Sequence, residues 1–144
     1  DPAIVDEHID LFMSAGSYDR IGNDLKTTFP PGMDVEVFKV EALYDSALRT
    51  NDRKIREHGT LFIRQNPSIY QLLNVEAMGP RRRPDLHLGV DTLEDIFVMT
   101  AIIEQFQDRQ LFSLEEIIEF LDMNPVLART NREVPRRWRQ YRED

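Results

Sequence analysis

Across residues 86–96 the apolar residues of this chain change period, and that change restricts the fold more than any other feature of the sequence. Leu86, Leu88 and Val90 alternate with other residues, the two-residue period of a strand. From Ile96 onward, Phe97, Met99, Ala101, Ile102, Ile103 and Phe106 fall at helical spacing. Thr92, at the join, reads as an N-cap, with Asp95 three residues on as an approximate capping-box partner. Asp91 is then a carboxylate at the C-terminal end of a strand, just before a helix. In open α/β sheets that edge is where ligands bind.

The remaining segments alternate between the two periods. Asp1 is placed to N-cap a helix with Pro2 at its first position, and Ile4, Val5, His8, Ile9, Leu11 and Phe12 make it amphipathic until about Gly16. Residues 18–23 predict a short strand, and Pro30-Pro31-Gly32 a turn. Val35 and Val37 share one face of the next strand; Asp34, Glu36 and Phe38 share the other. Residues 40–48 predict a helix whose stripe is Val40, Leu43, Tyr44, Ala47 and Leu48. Residues 51–65 read as loop and helix, stopped by Asn66-Pro67, and residues 70–78 as a strand. A basic loop over 79–84 leads to the central segment. After that segment, Ser113 and Glu116 form a capping box that opens a helix through Met123, and Asn124-Pro125 starts a short helical turn. Residues 134–144 are Arg-rich, with Arg136, Arg137, Arg139 and Arg142 around Trp138. Alternating strands and helices predict an α/β fold with some mixed pairing.

Composition narrows the function. The 144 residues amount to one domain's worth of chain, with a net charge of −8 that would repel the phosphates of a nucleic acid. A local positive field can still receive a small anionic substrate. The absence of cysteine rules out disulfides, thiolate metal sites and cysteine nucleophiles. No apolar run has membrane-spanning length and no basic, apolar signal segment opens the chain, so a cytoplasmic location without a membrane span is expected.

Several stretches together resemble one enzyme family. Val90-Asp91-Thr92-x-Glu94-Asp95 is similar to the V-D-T-x-E-D motif of cytidylyltransferases that activate acidic sugars, especially the SpsF-type branch near the CMP-Kdo and CMP-sialate synthetases. Asp1-Pro2-Ala3-Ile4-Val5-Asp6 resembles D-P-x-I-V-D, and Pro31 to Phe38 resembles P-x-G-x-D-V-E-V-F. Arg56-Glu57-His58-Gly59-Thr60 resembles R-E-H-V-T, while Phe112 to Ile117 and Asn124 to Ala128 resemble F-S-L-E-E-I and N-P-E-L-A. With the last two taken together, five motifs agree in order and spacing. The chain departs at Gly59 and Leu61, where the family has Val and Pro, and at His87, where it often has Arg.

The resemblance implies a three-layer α/β/α nucleotidyltransferase-like fold, of which residues 1–144 would be the C-terminal part, the nucleotide-binding part lying N-terminal to Asp1. It implies transfer of CMP from CTP to a sugar with release of pyrophosphate, Mg²⁺ as cofactor, and a homodimer. Matching positions make Asp91 the Mg²⁺ ligand and, with Glu36, the catalytic pair; Asp34, Glu36, Arg56 and His58 would bind substrate. Glu94 and Asp95 read as first-turn helix residues. His8 reads as structural, and Arg81, Arg82 and Arg83 as a solvated loop. Two other readings compete: a non-catalytic interaction domain that kept the fold and uses its Arg-rich tail, and a nucleotide-sugar-dependent glycosyltransferase-like protein.

Overall fold

The computed structural model describes residues 1–136. Its first helix, α1 (Pro2–Ala15), starts where the sequence predicts: Asp1 Oδ1 accepts the Ala3 amide at 2.9 Å, and Gly16 ends the helix in the left-handed conformation. His8 lies buried on α1 with Nδ1 2.7 Å from the Ile4 carbonyl, the structural role expected of it.

Three short strands follow: β1 (Arg20–Gly22), β2 (Glu36–Phe38) and β3 (Leu72–Asn74). They form a mixed sheet in the order β2-β1-β3. β1 pairs antiparallel with β2, Ile21 opposite Val37, and parallel with β3, Ile21 opposite Leu73. α1 packs on β1 and β2. Between β2 and β3 come α2 (Val40–Arg49), α3 (Arg53–Glu57) and α4 (Leu61–Gln65). After β3 come a 3-10 turn (Gly79–Arg81), then α5 (Leu93–Gln105), α6 (Leu114–Met123) and α7 (Pro125–Arg129). The α/β class expected from the alternation is therefore observed.

The main core joins Ile4 of α1, Val98, Ile102 and Phe106 of α5, and Leu114, Ile117, Ile118 and Leu121 of α6 to Phe29, Ala77, Leu86 and Leu88 from the connecting segments. A smaller cluster of Ala42, Ile63 and Tyr70 holds α2 and α4 against the sheet. Among the described residues no helix is long and apolar enough to cross a membrane.

Two expectations are corrected. Residues 86–90 are extended but belong to no sheet; Leu88 N donates to Pro31 O at 2.7 Å, while Leu86 and Leu88 turn into the main core. Their alternation records burial of one side of an extended segment rather than ladder pairing. On α2 the predicted stripe faces outward: Val40, Tyr44 and Leu48 are 56%, 71% and 88% exposed, and the helix packs instead through Ala42 and Ser46. The small side chains let the helix lie close to its neighbours, which the large ones could not. The basic loop lies at the surface, as expected, and its arginines are paired there. Arg81 pairs with Glu7 and Glu115, Arg82 with Glu76, and Arg83 with Asp85 and Asp122. The cluster around Trp138 lies outside the described residues, apart from Arg136.

Candidate functional site

Two segments far apart in sequence are held together at the head of α5. Asn23, buried just after β1, donates from Nδ2 to Met33 O at 3.0 Å and accepts the Val35 amide on Oδ1 at 2.8 Å, so it fixes the loop that carries Asp34. Gly32 in that loop has φ +103°, and a β-carbon there would overlap the backbone of Leu88 and Gly89. Only glycine allows both that conformation and so close an approach. The Asp34 loop is thereby docked against the segment that leads into Asp91.

Thr92 caps α5, and its hydroxyl and backbone amide both donate to Asp95 Oδ2, at 3.1 and 2.9 Å, which completes the expected capping box. Asp95 does more than a first-turn residue does. It is fully buried, and Oδ2 also accepts the Asp91 amide at 3.0 Å and Arg136 Nη1 at 2.7 Å. Oδ1 accepts Asn131 Nδ2 at 2.7 Å and Arg136 Nη2 at 2.6 Å. The guanidinium of Arg136, helped by the amides and Asn131 and only partly offset by burial, holds the Asp95 carboxyl far below the usual carboxylate range.

Asp91 presents the opposite environment. Its side chain is 66% exposed, and its carboxylate Oδ2 lies 3.9 Å from Arg136 Nη1. His87 Nε2 stands 3.9 Å from Asp95 Oδ1. Burial and then the charge of Arg136 push the His87 imidazole below its ordinary value, against the opposing pull of Asp95, Asp91 and Asp34. Those three carboxylates thus share one electrostatic neighbourhood. By distance alone His87, Asp91 and Asp95 offer a metal-ligand cluster, with one donor atom from each within 4.8 Å of the others. A carboxylate has about four lone-pair sites. Four donors on Asp95 Oδ2 and two on Oδ1 leave it no capacity for a cation, so Asp91 is the carboxylate of this trio able to hold one.

The other expected site residues lie elsewhere. Glu36 Oε2 accepts the Thr60 hydroxyl and, at 3.3 Å, Arg20 Nε. Arg20 is fully buried and pairs with Asp24, which also receives Arg64 at 3.1 Å. Glu36 therefore ties the Arg56–Thr60 motif to the sheet through Thr60. Arg56 donates from Nη1 to the carbonyls of Ala47 and Thr50, at 2.7 and 3.1 Å, and so satisfies the C-terminal end of α2. His58 is exposed at the end of α3. Beside Leu43, Ala47, Thr50 and Phe62, Arg56 also lines an open cleft of about 190 Å³. Asn131 carried no signal in the sequence; Asp95, His87 and Arg136 were noted only for the capping box, a departure from the family motif and the Arg-rich C-terminal segment, none of which reveals that they meet.

Comparison with known proteins places this chain in a class. A computed fold match of TM-score 0.84 and 26% identity links 94% of the chain to 56% of a cytidylyltransferase from Leptospira borgpetersenii serovar Hardjo-bovis. The chain is also 33% identical over 135 residues to the spore coat polysaccharide biosynthesis protein SpsF of Bacillus subtilis, covering 92% of this chain and 54% of that protein. It is 30% identical over 112 residues to the uncharacterized protein MJ1063 of Methanocaldococcus jannaschii, covering 78% and 45%. No family model matches. Over nearly its whole length, then, the chain is a relative of the SpsF-type cytidylyltransferases, as its motifs suggested. It spans about half the length of the curated relatives it matches.

Proposed function

We propose that this chain forms the sugar-facing and metal-facing portion of a nucleotidyltransferase that uses CTP to activate an acidic or related sugar for surface-polysaccharide biosynthesis. In that reaction a sugar oxygen attacks the α-phosphorus of CTP. The new O–P bond forms as the bond to the β-phosphate breaks, pyrophosphate leaves, and the sugar hydroxyl loses its proton. Charge neutralisation and in-line positioning dominate such a step, with no need for a covalent protein intermediate.

The observation that carries the reading is Asp91, an exposed carboxylate at the head of α5 within the V-D-T-x-E-D motif. Mg²⁺ prefers hard oxygen ligands and is commonly held by one or two carboxylates with phosphates and water. Asp91 fits that donor chemistry; Asp95, with its oxygens filled, does not. Bound there, Mg²⁺ would neutralise charge on the triphosphate. Asp34, docked beside this segment, and Glu36, whose side chain is 30% exposed, are the sugar-side residues in this reading, with Arg56 and His58 on the outer flank. The N-terminal half of the relatives would supply the nucleotide-binding loop. A cytoplasmic location belongs to the same proposal, since the enzyme must meet CTP where it is made, and the family resemblance adds a homodimer to it.

In the complete polypeptide, Asp91→Asn is expected to keep the melting temperature and to lower CTP-dependent pyrophosphate release by about a hundredfold. Wild-type turnover by this variant at saturating Mg²⁺ would remove Asp91 from the metal site. No pyrophosphate release by the unaltered polypeptide with any acidic sugar would favour the interaction-domain reading instead.

A further inference from the structure

The proposed reaction leaves the buried Asp95–Arg136 ion pair without a task. An exposed helix start needs only the Thr92 hydroxyl and a first-turn carboxylate to satisfy its amides. Here the carboxylate of Asp95 is sealed from water and met by a guanidinium from 41 residues along the chain. The Arg136 side chain is 3% exposed and engages both oxygens of Asp95 at 2.7 and 2.6 Å. Burying two charges is costly, and such pairs bring more geometric definition than stability. Arginine's planar fork defines a carboxylate in two dimensions at once. Asn131 adds a third fixed point, since its Nδ2 donates to Asp95 Oδ1 and also to His87 O at 3.1 Å. The two backbone amides that Asp95 receives belong to Asp91 and Thr92. The orientation of the Asp95 carboxylate therefore sets the backbone of Asp91.

We infer that Asp95 and Arg136 are a positioning pair that clamps the backbone of Asp91, so that its carboxylate is presented in one orientation, while neither residue binds the cation or the substrate. The inference rests on the role proposed for Asp91. It also assigns a purpose to the segment after α7: residues 131–136 close over the head of α5 and complete the site from outside it.

The test uses the complete polypeptide with Arg136→Gln and Arg136→Lys. Amide hydrogen exchange reads the clamp directly. In Arg136→Gln, which loses both charge-assisted bonds to Asp95, the amides of Asp91 and Thr92 are expected to exchange about tenfold faster or more, with Val98 and Ile102 in the body of α5 unchanged. Pyrophosphate release should show kcat reduced about tenfold and KM for CTP changed by less than about threefold, the pattern of a group that acts on the reacting geometry. Arg136→Lys, which keeps the charge but loses the fork, should fall between the two in both measurements. Unchanged exchange at Asp91 and Thr92 in a folded Arg136→Gln variant would overturn the inference, as would a loss confined to KM. If the Gln variant does not fold, the same amides in Arg136→Lys decide: faster exchange there supports the clamp and unchanged exchange refutes it. Faster exchange in a polypeptide without cytidylyltransferase activity would leave the clamp standing and remove the proposed reaction.

Discussion

At Gly32 a single missing β-carbon decides whether the site exists. The residue sits at φ +103° with the backbone of Leu88 and Gly89 where a side chain would begin. Leu88 N bonds to Pro31 O beside it, and Asp34 is two residues further on. Gly32→Ala is expected to cost about 1–3 kcal/mol from the backbone conformation alone, and more from the overlap. The loop would lift from the segment leading to Asp91, so the amide resonances of both segments should shift together with the fall in melting temperature. A variant as stable as the wild type, with those resonances in place, would show that the two backbones can part without loss. The turn at Pro30-Pro31-Gly32 was legible in the sequence. Its docking was not, because nothing local to Gly32 names the partner that occupies the space.

Helix ends are the elements that carried the most information. The caps at Asp1, Thr92 and Ser113 all form where side-chain chemistry predicts, and Glu116 closes the α6 box while also pairing with Arg109. The Arg109 guanidinium and the Ser113 amide hold the Glu116 carboxyl down at about 2. Asp1 does two jobs: Oδ1 caps α1 at Ala3, and Oδ2 accepts the amide of Leu114 at the start of α6, 2.9 Å away. One carboxylate thus pins two helix N-termini together. Asp1→Ala is expected to destabilise by about 1–2 kcal/mol, lowering the urea midpoint with an unchanged slope. Asp1→Asn retains one acceptor oxygen and should lose less. Equal losses for the two would mean that the bridge to α6 contributes nothing.

For the molecule as a whole, apolar surface remains uncovered. Val5, Ile9 and Met13 are exposed at four-residue spacing on α1, as are Val40, Tyr44 and Leu48 on α2; Leu93, Phe97 and Ile103 are exposed on α5. Each sheet strand has three residues, and β2 and β3 lie at open edges among the described residues. Such faces and edges favour association. Residues 1–144 expressed alone are therefore expected to self-associate and, with a net charge of −8, to bind CTP with Mg²⁺ weakly. Light scattering and calorimetric titration check both. A monodisperse monomer with micromolar affinity for CTP would move the nucleotide site into this chain.

What the sequence determined by itself is local. Caps, turns and the helical period of α5 and α6 depend on side chains within about four residues of the backbone they serve, and they were read correctly at Asp1, Thr92 and Ser113. The motif around Asp91 was legible through its resemblance to the family's V-D-T-x-E-D. Only the tertiary structure decided the rest. Whether an alternating segment pairs as a strand depends on a neighbour with free donors and acceptors, and residues 86–90 found a core and one carbonyl instead. Which face of α2 is buried depended on the close approach that Ala42 and Ser46 permit, against the larger residues that the pattern favoured. Asp95 looked like an ordinary first-turn acid because its partners Asn131 and Arg136 lie 36 and 41 residues away. Glu36 likewise met Arg20 and Thr60 only across the sheet and the loop beyond α3. A buried charge needs a paired charge or full hydrogen bonding, and in this chain those partners are supplied by segments that only folding brings together.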